Sequence, residues 1–179
     1  MKRIVQTSML LAALLFAFSV TRVQAQATPV HYKDAVVDNP TDDADIKTVT
    51  DFTNSLVSGD LTKAKSLMAD SYKGYGPSST DSVNFDQEVA AWQQNYKTQT
   101  DRKVGFIPVT FQVLSGNLQG NWVAIWGTYT FTEDGKTISF PFHSASHVTN
   151  GKVDRNYIYY DRLAILQGLG YTVTPPAGK

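Results

Sequence analysis

The chain has 179 residues, of which 42% are hydrophobic and 12% aromatic, and its formal net charge is zero. That length suits one compact domain, and the balanced charge argues against a nucleic-acid partner, which needs a basic surface to neutralise phosphates. With no cysteine anywhere, a disulfide scaffold, a lipid-bearing cysteine, a thiol nucleophile and any thiolate metal site are excluded.

Lys2 and Arg3 precede an apolar run, Met9–Val20, and then Val23-Gln24-Ala25. A positive start, a short apolar stretch and small residues before a cut form the pattern of a secretory signal over residues 1–25. The run is too short for a membrane span, which needs about 20 residues. The expectation is an exported chain, periplasmic or secreted, with a slight acidic excess and no membrane contact after cleavage.

Residues 26–40 carry two prolines and no helical period, and read as a tether or one edge segment. The domain proper is expected over residues 41–171, followed by a tail at 172–179. Thr41 offers an N-cap to a first helix whose stripe is Ile46, Val49, Phe52, Leu56 and Val57. Ser58-Gly59-Asp60 ends it, and Asp60 can cap a short second helix bearing Ala64, Leu67 and Met68. Residues 71–84 are rich in turn formers. Phe85, Val89, Trp92 and Tyr96 then mark a third helix with an aromatic face.

After Asp101 the period changes, and residues 103–115, 120–133, 136–149 and 152–161 read as strands. Asp134-Gly135 and Asn150-Gly151 are strong hairpin signals between them. A short helix, Arg162–Leu169, closes the domain. Helices first and an antiparallel meander second predict an α+β fold with helices on one sheet face.

The strand at 122–131 is apolar on both faces, with Trp122, Ala124 and Trp126 alternating against Val123, Ile125, Tyr129 and Phe131. Helices can cover only one face, so the other is expected to meet a second copy of the chain.

The stretch Gly151-Lys152-Val153 through Tyr157 to Asp161, continued by Leu163 to Gly170, resembles the closing strand and helix of the SnoaL-like branch of the NTF2-like superfamily. The helical opening, with Ser58-Gly59-Asp60 and Met68-Ala69-Asp70, is also similar to that family. Tyr157 stands where the family usually has tryptophan, and Gln167-Gly168 replaces paired glutamines. The resemblance implies a cone: N-terminal helices packed on a strongly curved antiparallel sheet around a pocket open at one end. Such pockets serve isomerases, cyclases, hydrolases, dehydratases and binders without chemistry, so the fold alone does not assign an activity.

The resemblance implies that Asp161 acts as general acid or base, with His147 as a pocket histidine able to share its proton. Position alone gives Asp161 a plainer role, as cap of the helix that follows. His143 and His147 lie four residues apart on a strand, about 13 Å at roughly 3.3 Å per residue, too far to share one metal ion. No metal site and no cofactor are expected. Tyr157, Tyr159 and Asp161 share parity and therefore one face. If that face is the cone interior, it forms an aromatic cup with Trp92, Tyr96, Trp126 and His143, suited to a planar or polycyclic ligand.

The leading expectation is thus an exported, dimeric protein binding a small apolar or aromatic molecule. The first alternative is a cofactor-free isomerase, cyclase or dehydratase using Asp161 with His147, and Tyr157 or Tyr96 polarising a carbonyl. The second is a non-catalytic dimeric interaction module whose cone is filled by its own aromatics. Gly74-Tyr75-Gly76 lacks the third glycine of a phosphate loop.

Overall fold

The computed structural model describes residues 31–174. The expected export signal, the first five residues of the tether and the end of the tail lie outside the described residues.

Helix α1 spans Asp42–Ser58 and buries the stripe read from the sequence, with Val49 and Phe52 at its centre. Gly59 ends it in the left-handed conformation, φ +93°, donating its N–H to Ser55 O at 3.1 Å. Thr41 occupies the N-cap position but makes no side-chain cap. Its hydroxyl lies instead 2.6 Å from Asp45 Oδ2, in a buried network with Asn39 and Asn121. Asp60 does cap α2, Leu61–Leu67, accepting from the Lys63 N–H at 3.0 Å.

The chain then departs from expectation. Met68 begins a strand, β2 (Met68–Tyr75), rather than ending a helix, and β3 (Ser82–Asn84) folds back on it. Of the stretch 71–84 expected to be turn, only residues 76–81 form the bend between these strands. A capping box of Asn84 and Gln87 starts α3, Phe85–Thr98.

The long strands β4 (Thr100–Val113), β5 (Gly120–Glu133), β6 (Lys136–Thr149) and β7 (Lys152–Tyr160) form the expected meander, and α4 (Arg162–Leu169) follows. A two-residue strand, β1 (Val36–Val37), pairs with β4, so the tether does supply one edge. The order is β1-β4-β5-β6-β7-β2-β3 in one curved, unclosed sheet. It is mixed rather than wholly antiparallel, because β2 runs parallel to β7. This is the α+β cone with a short C-terminal helix.

The core lies between the helices and the concave face. Val49, Phe52 and Leu56 of α1 pack with Val123 and Ile125 of β5, Val148 of β6 and Val153 of β7. Each such side chain contributes about 1.5–3 kcal/mol on burial. Toward the other end of the sheet the helices no longer fill the concavity.

Candidate functional site

The unfilled end is a cavity of about 540 Å³ between α1, α3, α4 and the concave sheet face. Its position follows from strand register. Ile125, Ser144 and Ile158 form one row across β5, β6 and β7; Gly127, Phe142 and Tyr160 form the next row on that face. Gly127 makes room for its neighbour, since a Cβ there would fall 2.6 Å from the Phe142 ring. Tyr129, Phe131 and Phe140 continue the aromatic wall, with Tyr129 edge-on to Phe140 at 5.7 Å between ring centres.

Helix α3 supplies the polar side. Glu88, Trp92 and Asn95 reach the cavity at spacings of four and three that define one helical face, and Gln99, the residue that ends the helix, reaches it too. Trp92 donates its indole N–H to Glu88 Oε1 at 3.0 Å. Tyr129 donates its hydroxyl to Gln99 Oε1 at 2.9 Å. From the sheet, Ser146 donates to Asn156 Oδ1 at 3.0 Å.

Behind them stands Tyr72 of β2, 1% exposed, whose hydroxyl is buried without a closed hydrogen bond among the described residues. Glu88 and Asn156 are the polar groups that act on it. Burial pushes the Glu88 carboxyl above the usual carboxylate range, and the Trp92 N–H bond with the nearby Tyr72 hydroxyl offsets only part of that. Burial likewise raises the phenols of Tyr72, Tyr129 and Tyr160. Glu88 is the one carboxylate lining the cavity among the described residues, and Arg162 is the one basic side chain. Arg162 lies 3.5 Å from Asp81.

Of the residues expected from sequence, Trp92 lines this cavity. Tyr96 lies beside Trp92, but its hydroxyl donates to Leu56 O at 2.8 Å and Arg102 sits over its ring, so it fastens α3 to α1 and β4. Trp126, His143 and Tyr159 come together, but on the convex face. With Ile107 they form a single row across β4 to β7, and Ile107, Trp126 and Tyr159 are 71%, 54% and 55% exposed.

Tyr157 occupies the adjacent convex row, stacked 4.9 Å from Tyr75. His147 is convex too, with Nδ1 2.6 Å from Asp154 Oδ1 and its ring against Trp122. Asp161 caps α4, accepting from the Ala164 N–H at 2.9 Å with its side chain exposed. The expected aromatic cup and the Asp161–His147 pair are therefore corrected in placement: the β7 tyrosines do share one face, but that face is the convex one and not the cone interior. The cause is a bulge at Asp154. Val148 pairs with Val153 while His147 pairs with Arg155, so the buried Val153 and Tyr157 face opposite ways.

Sequence reasoning missed Glu88, Tyr72 and Asn156. A signal existed for Glu88, an acid one turn before Trp92 on a helix face otherwise read as apolar. Tyr72 was hidden by the turn formers around it.

No family model matches this chain, and no curated protein matches it in sequence. Solved structures do match in fold. An epoxide hydrolase of Mycobacterium tuberculosis, described as LEH-like, is 15% identical with a TM-score of 0.57, covering 73% of this chain and 92% of its own. IdmH, a putative polyketide cyclase from Streptomyces antibioticus, is 16% identical with a TM-score of 0.57 over 71% of this chain and 99% of its own. A putative SnoaL-like polyketide cyclase from Shewanella denitrificans is 9% identical with a TM-score of 0.57, over 70% and 96%. These likenesses show the fold alone, a cone of the NTF2-like kind.

Proposed function

We propose that this NTF2-like cone is a small-molecule pocket protein that takes up a largely apolar or aromatic molecule and holds it against Glu88. The observation that carries the reading is the cavity of about 540 Å³, walled by aromatic rings and containing one carboxylate among its described lining residues. Sites of that size, apolar with few convergent polar groups, are the usual form of small-molecule pockets. The test is native mass spectrometry of the purified protein, with Ser144→Phe as the cavity-filling variant. A discrete non-covalent mass, lost in the variant, is the expected result. A wild-type pocket that retains nothing, and binds no apolar dye such as Nile red, would refute it.

A second reading is cofactor-free acid–base chemistry of the isomerase, cyclase or dehydratase kind. It is favoured by the raised Glu88 carboxyl beside the unpartnered Tyr72 hydroxyl, a pairing that can exchange a proton with a bound substrate. In this reading Glu88 takes the role that the family resemblance gave to Asp161. Turnover of any trial ketone or enol by wild type, abolished in Glu88→Gln, would support it.

The exposed convex row of Ile107, Trp126 and Tyr159 supports pairing of two copies through that face. The N-terminal pattern of charge and apolar residues supports export.

A further inference from the structure

We infer that the cavity prefers a cationic ligand, a protonated or quaternary amine carried on an apolar body, seated with its charge against Glu88. This rests on the pocket reading above and narrows its ligand class.

The first ground is an uncompensated charge. Glu88 lines an aromatic-walled cavity, yet no lysine, arginine or histidine among the described residues forms an ion pair with it. Arg162, the basic residue of that lining, is turned to Asp81. A carboxylate half-buried among rings without a counter-charge is costly, and a site that keeps one is completed by a proton or by a cation. The Trp92 N–H is the only closed hydrogen bond it receives among the described residues.

The second ground is independent of Glu88. Trp92 and Tyr129 stand 6.3 Å apart in an edge-to-face arrangement, and Phe131 and Phe140 extend the same wall. Ring faces attract a desolvated ammonium within about 6 Å of their centres, most strongly for tryptophan. An anionic ligand would meet Glu88 with no free cation to hold it. A neutral hydrocarbon would bury the carboxylate and gain nothing from it.

The test is displacement of Nile red, followed by fluorescence, using benzyltrimethylammonium and its uncharged carbon isostere neopentylbenzene. The two have nearly the same shape and differ in charge. The expected result is that the cation displaces the dye at a concentration about tenfold lower, and that Glu88→Gln abolishes this preference while still binding dye. The substituted amide keeps an oxygen for the Trp92 N–H, and the far-UV circular dichroism should match wild type. Equal or better displacement by the isostere in wild type overturns the inference, as does a preference that survives in Glu88→Gln. Failure of the cation to displace bound dye overturns it too, and leaves the pocket reading intact. If wild type binds no Nile red at all, the pocket reading itself falls, and this inference with it.

Discussion

Trp92 and Glu88 sit one turn apart on α3, joined by an indole N–H that donates to Oε1 at 3.0 Å. The bond turns an acid that would ordinarily reach for solvent toward a wall of rings. Its consequence for stability has a definite sign. The folded carboxyl titrates above its ordinary value of 4.5. A raised acid favours the folded state fully below the unfolded value and loses that contribution as pH rises through the folded one. Glu88→Gln is therefore expected to melt higher than wild type at pH 7. Thermal melts from pH 7 to pH 4 should show the gap closing as the acid end is approached.

Tyr72→Phe tests the buried hydroxyl beside that acid. Removing an unpaired polar group from the interior relieves its desolvation, so a gain of about 1 kcal/mol in urea unfolding is expected. A loss of similar size would mean that the hydroxyl is hydrogen-bonded after all.

Asp161→Ala should cost about 1 kcal/mol through loss of the α4 cap, whereas Asp161→Asn should be nearly silent, since asparagine caps as well as aspartate. Nile red affinity in Asp161→Asn should stay within a few-fold of wild type. A large loss of binding there, with stability unchanged, would return Asp161 to the pocket.

Asp45→Ala is expected to be severe. Its buried carboxylate accepts from the side-chain amides of Asn39 and Asn121 at 2.9 and 3.1 Å, and lies 2.6 Å from the Thr41 hydroxyl. Removing the shared acceptor takes one hydrogen bond from each of three donors, which keep their others to Thr110, Thr41 and Asn39, and empties a buried site, about 2–4 kcal/mol by chemical denaturation.

On the convex face, Trp126→Lys places a charge in the middle of the exposed row. If two copies pair there, light scattering after size-exclusion chromatography should report a dimer for wild type and a monomer for the variant, with circular dichroism unchanged. A wild-type monomer would refute the pairing.

The fold was legible because its strongest signals are periodic. The stripe from Ile46 to Val57 could only be a helix face, and the Asp134-Gly135 and Asn150-Gly151 turns framed three strands at the observed register. The two-faced alternation in β5 was also read properly. Which face is concave was not in the alternation. Parity links Tyr157 to Tyr159 but says nothing of the side they take, and one inserted residue at Asp154 decouples both from the buried Val153. Parallel pairing of β2 with β7 joins residues more than 80 positions apart, and no local pattern marks it. Tyr72 therefore became a core residue with no warning, and with it the floor behind Glu88.

Helix α4 is only one short element, yet it forms one wall of the cavity. Ile165 and Leu166 lie over the cavity, Asp161 sets the angle at which the helix leaves β7, Lys136 bonds to the Leu169 carbonyl, and Arg162 reaches Asp81. Those fastenings are few and at the surface, while the rings beneath belong to the sheet. The cavity's two walls are thus written in different parts of the chain. Substitutions at Ile165 and Leu166 can therefore resize the hollow like a stopper recut to a new bore, leaving the vessel of rings as it was.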